Sequence, residues 1–97
     1  MAKFFHIPCK IERGGFSRER TFTIPSENGE SLVGVAYYEY FLDADKNPIS
    51  EDVPPEGESI DGFVVCRLVK RVANSTVVVE VPSSDLIAVS ESVLAAS

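Results

Sequence analysis

Tryptophan is absent from this chain, and histidine and methionine occur once each. Cysteine occurs twice in 97 residues, too few for the disulfide frameworks that hold small secreted domains together. His6, Cys9 and Cys66 are the only soft metal ligands, so a tetrahedral zinc site would need a carboxylate as its fourth ligand. His6 and Cys9 stand an odd number of residues apart on an expected strand. That parity aims them at opposite faces and argues against a Cys–His nucleophile pair as well. No P-loop, nucleophile elbow or paired dinucleotide-binding glycines occur, so neither an enzyme nor a cofactor is expected. Apolar runs stay well short of the roughly 20 residues of a membrane-spanning helix, and no membrane association is expected. The N-terminal MAKFFHIPCK is broken by histidine, proline and lysine, lacks a secretory core, and implies a cytoplasmic setting with reduced thiols.

Positive charge is scarce too: 9 Lys and Arg stand against 15 Asp and Glu, for a net charge of −6. Nucleic-acid binding needs a cationic face, so that class is disfavoured. The charge is unevenly spread. The first twenty residues hold five basic and two acidic side chains, whereas residues 21–66 hold Lys46 alone against ten acids. A basic end beside an acidic middle permits head-to-tail self-association or an acidic protein partner.

What is present is β pattern. The length makes one domain, 1–97, and with 44% apolar residues it can close a core without staples. Phe5, Ile7, Cys9 and Ile11 alternate with Phe4, His6 and Lys10, and Arg20–Ile24 alternates polar and apolar residues, so the first 28 residues read as a hairpin around Gly14-Gly15. Asn28-Gly29 signals a tight turn. Residues 31–42 read as one strand with apolar residues on both faces, either covered on both sides or kinked at Gly34. An acidic loop with three prolines follows at 43–61, pinned by Ile49 and Val53. Gly62–Val89 is the clearest meander, two β-branched runs joined at Asn74-Ser75, with a second turn at Ser83-Ser84-Asp85. Val64, Cys66, Leu68, Val77, Val79 and Val81 make its core face. Leu86 to Ala96 fits one amphipathic helix, through the spacing of Leu86, Val89 and Val93, as well as a short strand at 86–89 followed by a helical turn at 90–95, which is the expected form.

Ala36-Tyr37-Tyr38-Glu39-Tyr40, followed by acids and then Glu56-Gly57-Glu58-Ser59-Ile60, resembles the opening of a Src-homology-3 domain. Gly57–Val64 also resembles the Gly-x-x-Val-x-Gly-x-Val segment of KOW-type barrels. Both resemblances, over about residues 32–95, imply an all-β, SH3-like small barrel of about five to seven antiparallel strands. Here it carries an added N-terminal hairpin (1–28) and a short C-terminal helical turn, the barrel spanning 30–97. Src-homology grooves grip proline-rich peptides with a tryptophan, which this chain lacks, and KOW modules carry basic residues where this segment is acidic.

Three constellations remain. Arg13, Arg18 and Arg20 on a glycine loop offer forked donors for an anion or an acidic surface, the chain's own acidic loop included. Otherwise they are a solvated edge. Tyr37, Tyr38 and Tyr40 are too crowded for one small core, so part of the cluster is expected at the surface, where tyrosine is a favoured anchor. Asp43, Asp45 and Asn47 carry calcium-loop spacing, but Pro48 and Pro54 replace the glycine and glutamate it needs, and a turn is the simpler reading. The sequence thus points to a non-catalytic protein-interaction or assembly module, with a nucleic-acid-binding barrel as the alternative and a small ligand-binding or enzymatic barrel as the second.

Overall fold

The computed structural model describes residues 3–25 and 29–96. Asn28 of the expected tight turn lies outside them, while Gly29 adopts φ +87°, the left-handed region open to glycine. Strands β1 (Phe4–Arg13), β2 (Glu19–Pro25) and β3 (Ser31–Tyr37) precede a 3₁₀ turn at Tyr38–Tyr40. Then come β4 (Phe41–Asp43), β5 (Ser59–Ala73), β6 (Thr76–Glu80) and β7 (Leu86–Ser90). A second 3₁₀ turn, Glu91–Val93, leads into the two-residue β8 (Ala95–Ala96). All pairings are antiparallel, in the order β3-β2-β1-β5-β6-β7, with β4 on β5 and β8 on β1.

The sheet nearly closes into a barrel because two strands change partners along their length. β1 pairs with β5 from Phe4 to Glu12. Its other edge takes β8 at Phe5 and His6 and β2 from Lys10 to Arg13. Pro8 sits between those two partners. The Leu68 N–H donates to the Lys3 carbonyl, so pair alternation turns Pro8 away from β5, where a missing N–H costs no ladder bond. The N-terminal hairpin is therefore present, and its first strand is part of the barrel wall. β5 likewise takes β4 at Gly62–Val64 and β6 from Arg67 onward, skipping one residue at Val69 and another at Val72. Such bulges bend and twist a strand.

Ile7, Ile11, Phe22, Ile24, Phe41, Val64, Cys66, Val77, Val79 and Val81 fill the interior. Each wholly buried aliphatic or aromatic side chain contributes about 1.5–3 kcal/mol. Phe22 and Phe41 meet at 5.7 Å between ring centroids, tilted by 59°, a favourable edge-on geometry. Ile49 and Pro54 are buried and Val53 is half-buried against the core, so the acidic loop is anchored from its apolar side.

Residues 31–42 do not form one strand. β3 is neither covered on both sides nor kinked at Gly34: Val33, Val35 and Tyr37 point outward throughout, and Gly34 and Ala36 inward. The apolar residues on both faces are reconciled by the 3₁₀ corner, after which Phe41 turns into the core and pairs with Val64. Gly34 is required for space. A Cβ there would lie 2.6 Å from Phe22 Cζ and 2.7 Å from Ser83 Oγ.

Candidate functional site

β2 determines what the basic loop does. Arg20 stands on the same parity as Phe22 and Ile24, and its side chain is 0% exposed. Its Nε donates to the Val53 carbonyl at 2.8 Å and its Nη2 to the Glu51 carbonyl at 2.7 Å. Nη1 donates to the carbonyls of Ser17 and Glu19 at 2.8 and 2.7 Å. Arg13 lies opposite Arg20 across the β1–β2 ladder, and its Nε donates to the Pro54 carbonyl at 2.7 Å. Like charges directly opposite repel. Burial first, and then the Arg13 charge, lower the Arg20 pKa, while Glu51 and Asp52 oppose that shift. The basic end of the chain thus holds its own acidic loop, through backbone carbonyls rather than carboxylates. Arg20, expected among the contact residues, lies inside the protein, and Arg13 is engaged with the loop.

Of the three arginines Arg18 alone is exposed. Its Nη2 pairs with Glu39 at 2.9 Å, and its guanidinium sits 5.7 Å from the Tyr38 ring centroid, as does that of Arg20. Tyr38 is therefore half-buried between two cations and packed on the core, a favourable arrangement for a ring face.

The other two tyrosines are outside. Tyr37 is 55% exposed at the end of β3 and Tyr40 is 46% exposed on the 3₁₀ corner. Two shallow hollows meet at Tyr40 and Pro82. One, about 220 Å³, is lined by Glu19, Val35, Ala36 and Tyr37. Phe4, Val65, Arg67 and Glu80 line the other, of about 180 Å³. Apolar and aromatic side chains alternate here with Glu19, Arg67 and Glu80, and Val33 is exposed on the same strand as Val35 and Tyr37. Arg67 donates from Nε and Nη2 to one Glu80 oxygen, at 3.0 and 2.8 Å. Arg18 and Arg67 are therefore each already matched by a carboxylate.

Phe4 and Pro82 were not among the expected site residues. Phe4 could have been found, because parity puts it on the face opposite Phe5 and Ile7; its place beside Arg67 comes only from the ladder. Pro82 carries no local signal; it reaches Tyr40 only through the β6–β7 turn.

Asp43, Asp45 and Asn47 form a turn. Asp43 Oδ1 accepts from the backbone N–H groups of Asp45 and Asn47 at 2.9 and 3.0 Å, and the Asn47 carbonyl accepts from the Asp43 N–H at 2.8 Å. Lys46 takes φ +65° at its tip. Among the described residues no three His, Cys, Asp or Glu side chains come close enough to hold a metal ion. Burial pushes the Cys9 thiol up to about 12 and the Cys66 thiol to about 11, far from the thiolate form a nucleophile needs. His6 is half-buried with Nδ1 unpartnered, and burial, then the Lys46 charge, lowers its pKa. No family model, no curated protein and no solved structure matches this chain.

Proposed function

We propose that the protein is a non-catalytic interaction module that holds a protein partner on the surface of Val33, Val35, Tyr37, Tyr40 and Pro82. One observation carries this reading: two tyrosines stand exposed over adjoining hollows on a tight 3₁₀ corner, while Arg13 and Arg20 are committed inside the molecule. Tyrosine gives large amphipathic contact area at low entropic cost and is enriched among binding hot spots. The corner is held by Arg18 and by the buried Phe41 that follows it, so the rings are presented in place. The partner contact assigned to the basic loop moves to this surface.

The barrel under it is of the SH3-like kind. Its closure by a short strand after a 3₁₀ turn, pairing back onto the first strand, supports that layout. Capture from a lysate of the encoding cell tests the function. The wild-type domain is expected to retain a partner that the Y37A/Y40A double variant loses, both being equally folded by circular dichroism. Equal recovery by both proteins would refute the surface.

A further inference from the structure

The outer edge of β3 points to a second copy of this chain as a binding partner. β3 pairs with β2 alone, and among the described residues no other strand or backbone hydrogen bond occupies its far edge. The direction of its free groups follows from the ladder. The Tyr38 N–H donates to the Arg18 carbonyl at 2.9 Å, and hydrogen-bonded pairs alternate along an antiparallel ladder. The even residues of β3 therefore bond to β2. Ser31, Val33, Val35 and Tyr37 turn their N–H and C=O groups outward, and their side chains are the exposed ones.

Edge strands are ordinarily blunted by lysine, proline, a bulge or an inward charge. Ser-Leu-Val-Gly-Val-Ala-Tyr has none of these. β7, the other terminal strand, runs into the Ser90 cap of the second 3₁₀ turn and exposes one large apolar side chain, Leu86.

We infer that two copies pair β3 to β3 antiparallel, about a two-fold axis at Gly34, the midpoint of the strand. In that register Val33 meets Val35 of the other copy and Tyr37 meets Ser31. All four outward residues become hydrogen-bonded pairs, about eight backbone bonds in total. Val33–Val35 is a β-branched cross-strand pair on one face, the kind that stabilises sheets. The charges fit. β3 carries no charged residue, so the net charge of −6 sets no like charges against each other along the strand itself. Two seven-residue strands bury less than the roughly 1,600 Å² of a standard stable interface. The dimer is accordingly of the transient class. The inference rests on reading this surface as a protein-contact face, and adds the partner.

Amide hydrogen exchange of the full chain, at low micromolar and at high micromolar concentration, tests it together with sedimentation velocity. At high concentration the Ser31, Val33, Val35 and Tyr37 amides should slow about two- to threefold, the inverse of the remaining monomer fraction, as the sedimentation coefficient rises. Val35→Lys, an outward change that leaves the core untouched, should abolish both effects while keeping the wild-type Tm. Exchange independent of concentration, or association retained by the lysine variant, overturns the β3 pairing. If the wild type stays monomeric yet the tyrosine surface still captures another protein, the dimer fails and the interaction reading stands. If both fail, the surface itself was misassigned.

Discussion

Replacing Arg20 with methionine keeps the stem and removes the guanidinium. Four carbonyls, of Ser17, Glu19, Glu51 and Val53, then lose their donor. Hydrogen bonds from a charged donor contribute at least about 1.5 kcal/mol each, which sets a gross loss near 6 kcal/mol. Removing a buried cation, and its repulsion from Arg13, returns several kcal/mol. A net destabilisation of about 3 kcal/mol remains, a large fraction of the roughly 5–15 kcal/mol that hold a domain of this size. At roughly 4–8 °C per kcal/mol the Tm should fall by about 12–24 °C. Arg20→Lys keeps the charge without the fork and should recover about half of that loss. The loss should also be local. A glutamate-directed protease should cut the folded methionine variant after Glu51, because the Glu51 and Val53 carbonyls are no longer held. Thermal circular dichroism and timed proteolysis read both effects. A Tm drop under about 4 °C with an unchanged cleavage pattern would refute the latch.

Gly34→Ala pushes a methyl into Phe22 and Ser83 and should cost about 1–3 kcal/mol in urea unfolding, an unchanged midpoint contradicting the packing. His6 should make stability depend on pH. Its folded pKa is lowered from 6.5, so its contribution is present above that value and is lost as pH falls through the folded pKa. The wild-type Tm should decline from pH 7.5 to 5 more steeply than that of His6→Gln, and parallel profiles would dismiss the effect. Cys9 and Cys66, with thiols raised to about 12 and about 11, should resist alkylation at pH 8 until the protein unfolds. Rapid labelling of the native state would contradict their enclosure.

The meander was legible because β-branched alternation fixes both strand and face: Val64, Cys66, Val77, Val79 and Val81 are the core, and Ser75 and Ser84 take positive φ in the expected turns. The terminal strand and turn were less legible, because Leu86, Val89 and Val93 fit helical spacing as well as a strand. The β1–β5 pairing joins segments some fifty residues apart, and alternation within each strand says nothing about its neighbour. The 3₁₀ break at Tyr38–Tyr40 was hidden because its two tyrosines and the Phe41 that follows favour a strand, and the single Glu39 does not outweigh them. Arg20 was misplaced by its charge. The pattern Arg20-Thr21-Phe22-Thr23-Ile24 puts it on the core face, and the parity signal was there. What the sequence could not show was a supply of backbone carbonyls in the Pro54 loop to satisfy a buried guanidinium. The tyrosine cluster was recognised as partly exposed; which ring stays in, Tyr38, depended on the positions of Arg18 and Arg20.

The central claim is that partner contact belongs to the tyrosine surface and not to the arginine loop. Photo-crosslinking in the encoding cell tests it directly, with a benzoylphenylalanine placed in turn at Tyr37, at Tyr40 and at Phe16, which is exposed on the arginine loop. Adducts from positions 37 and 40 with none from 16 are the predicted result, their mass separating a second copy from another protein. Adducts confined to position 16 would contradict it.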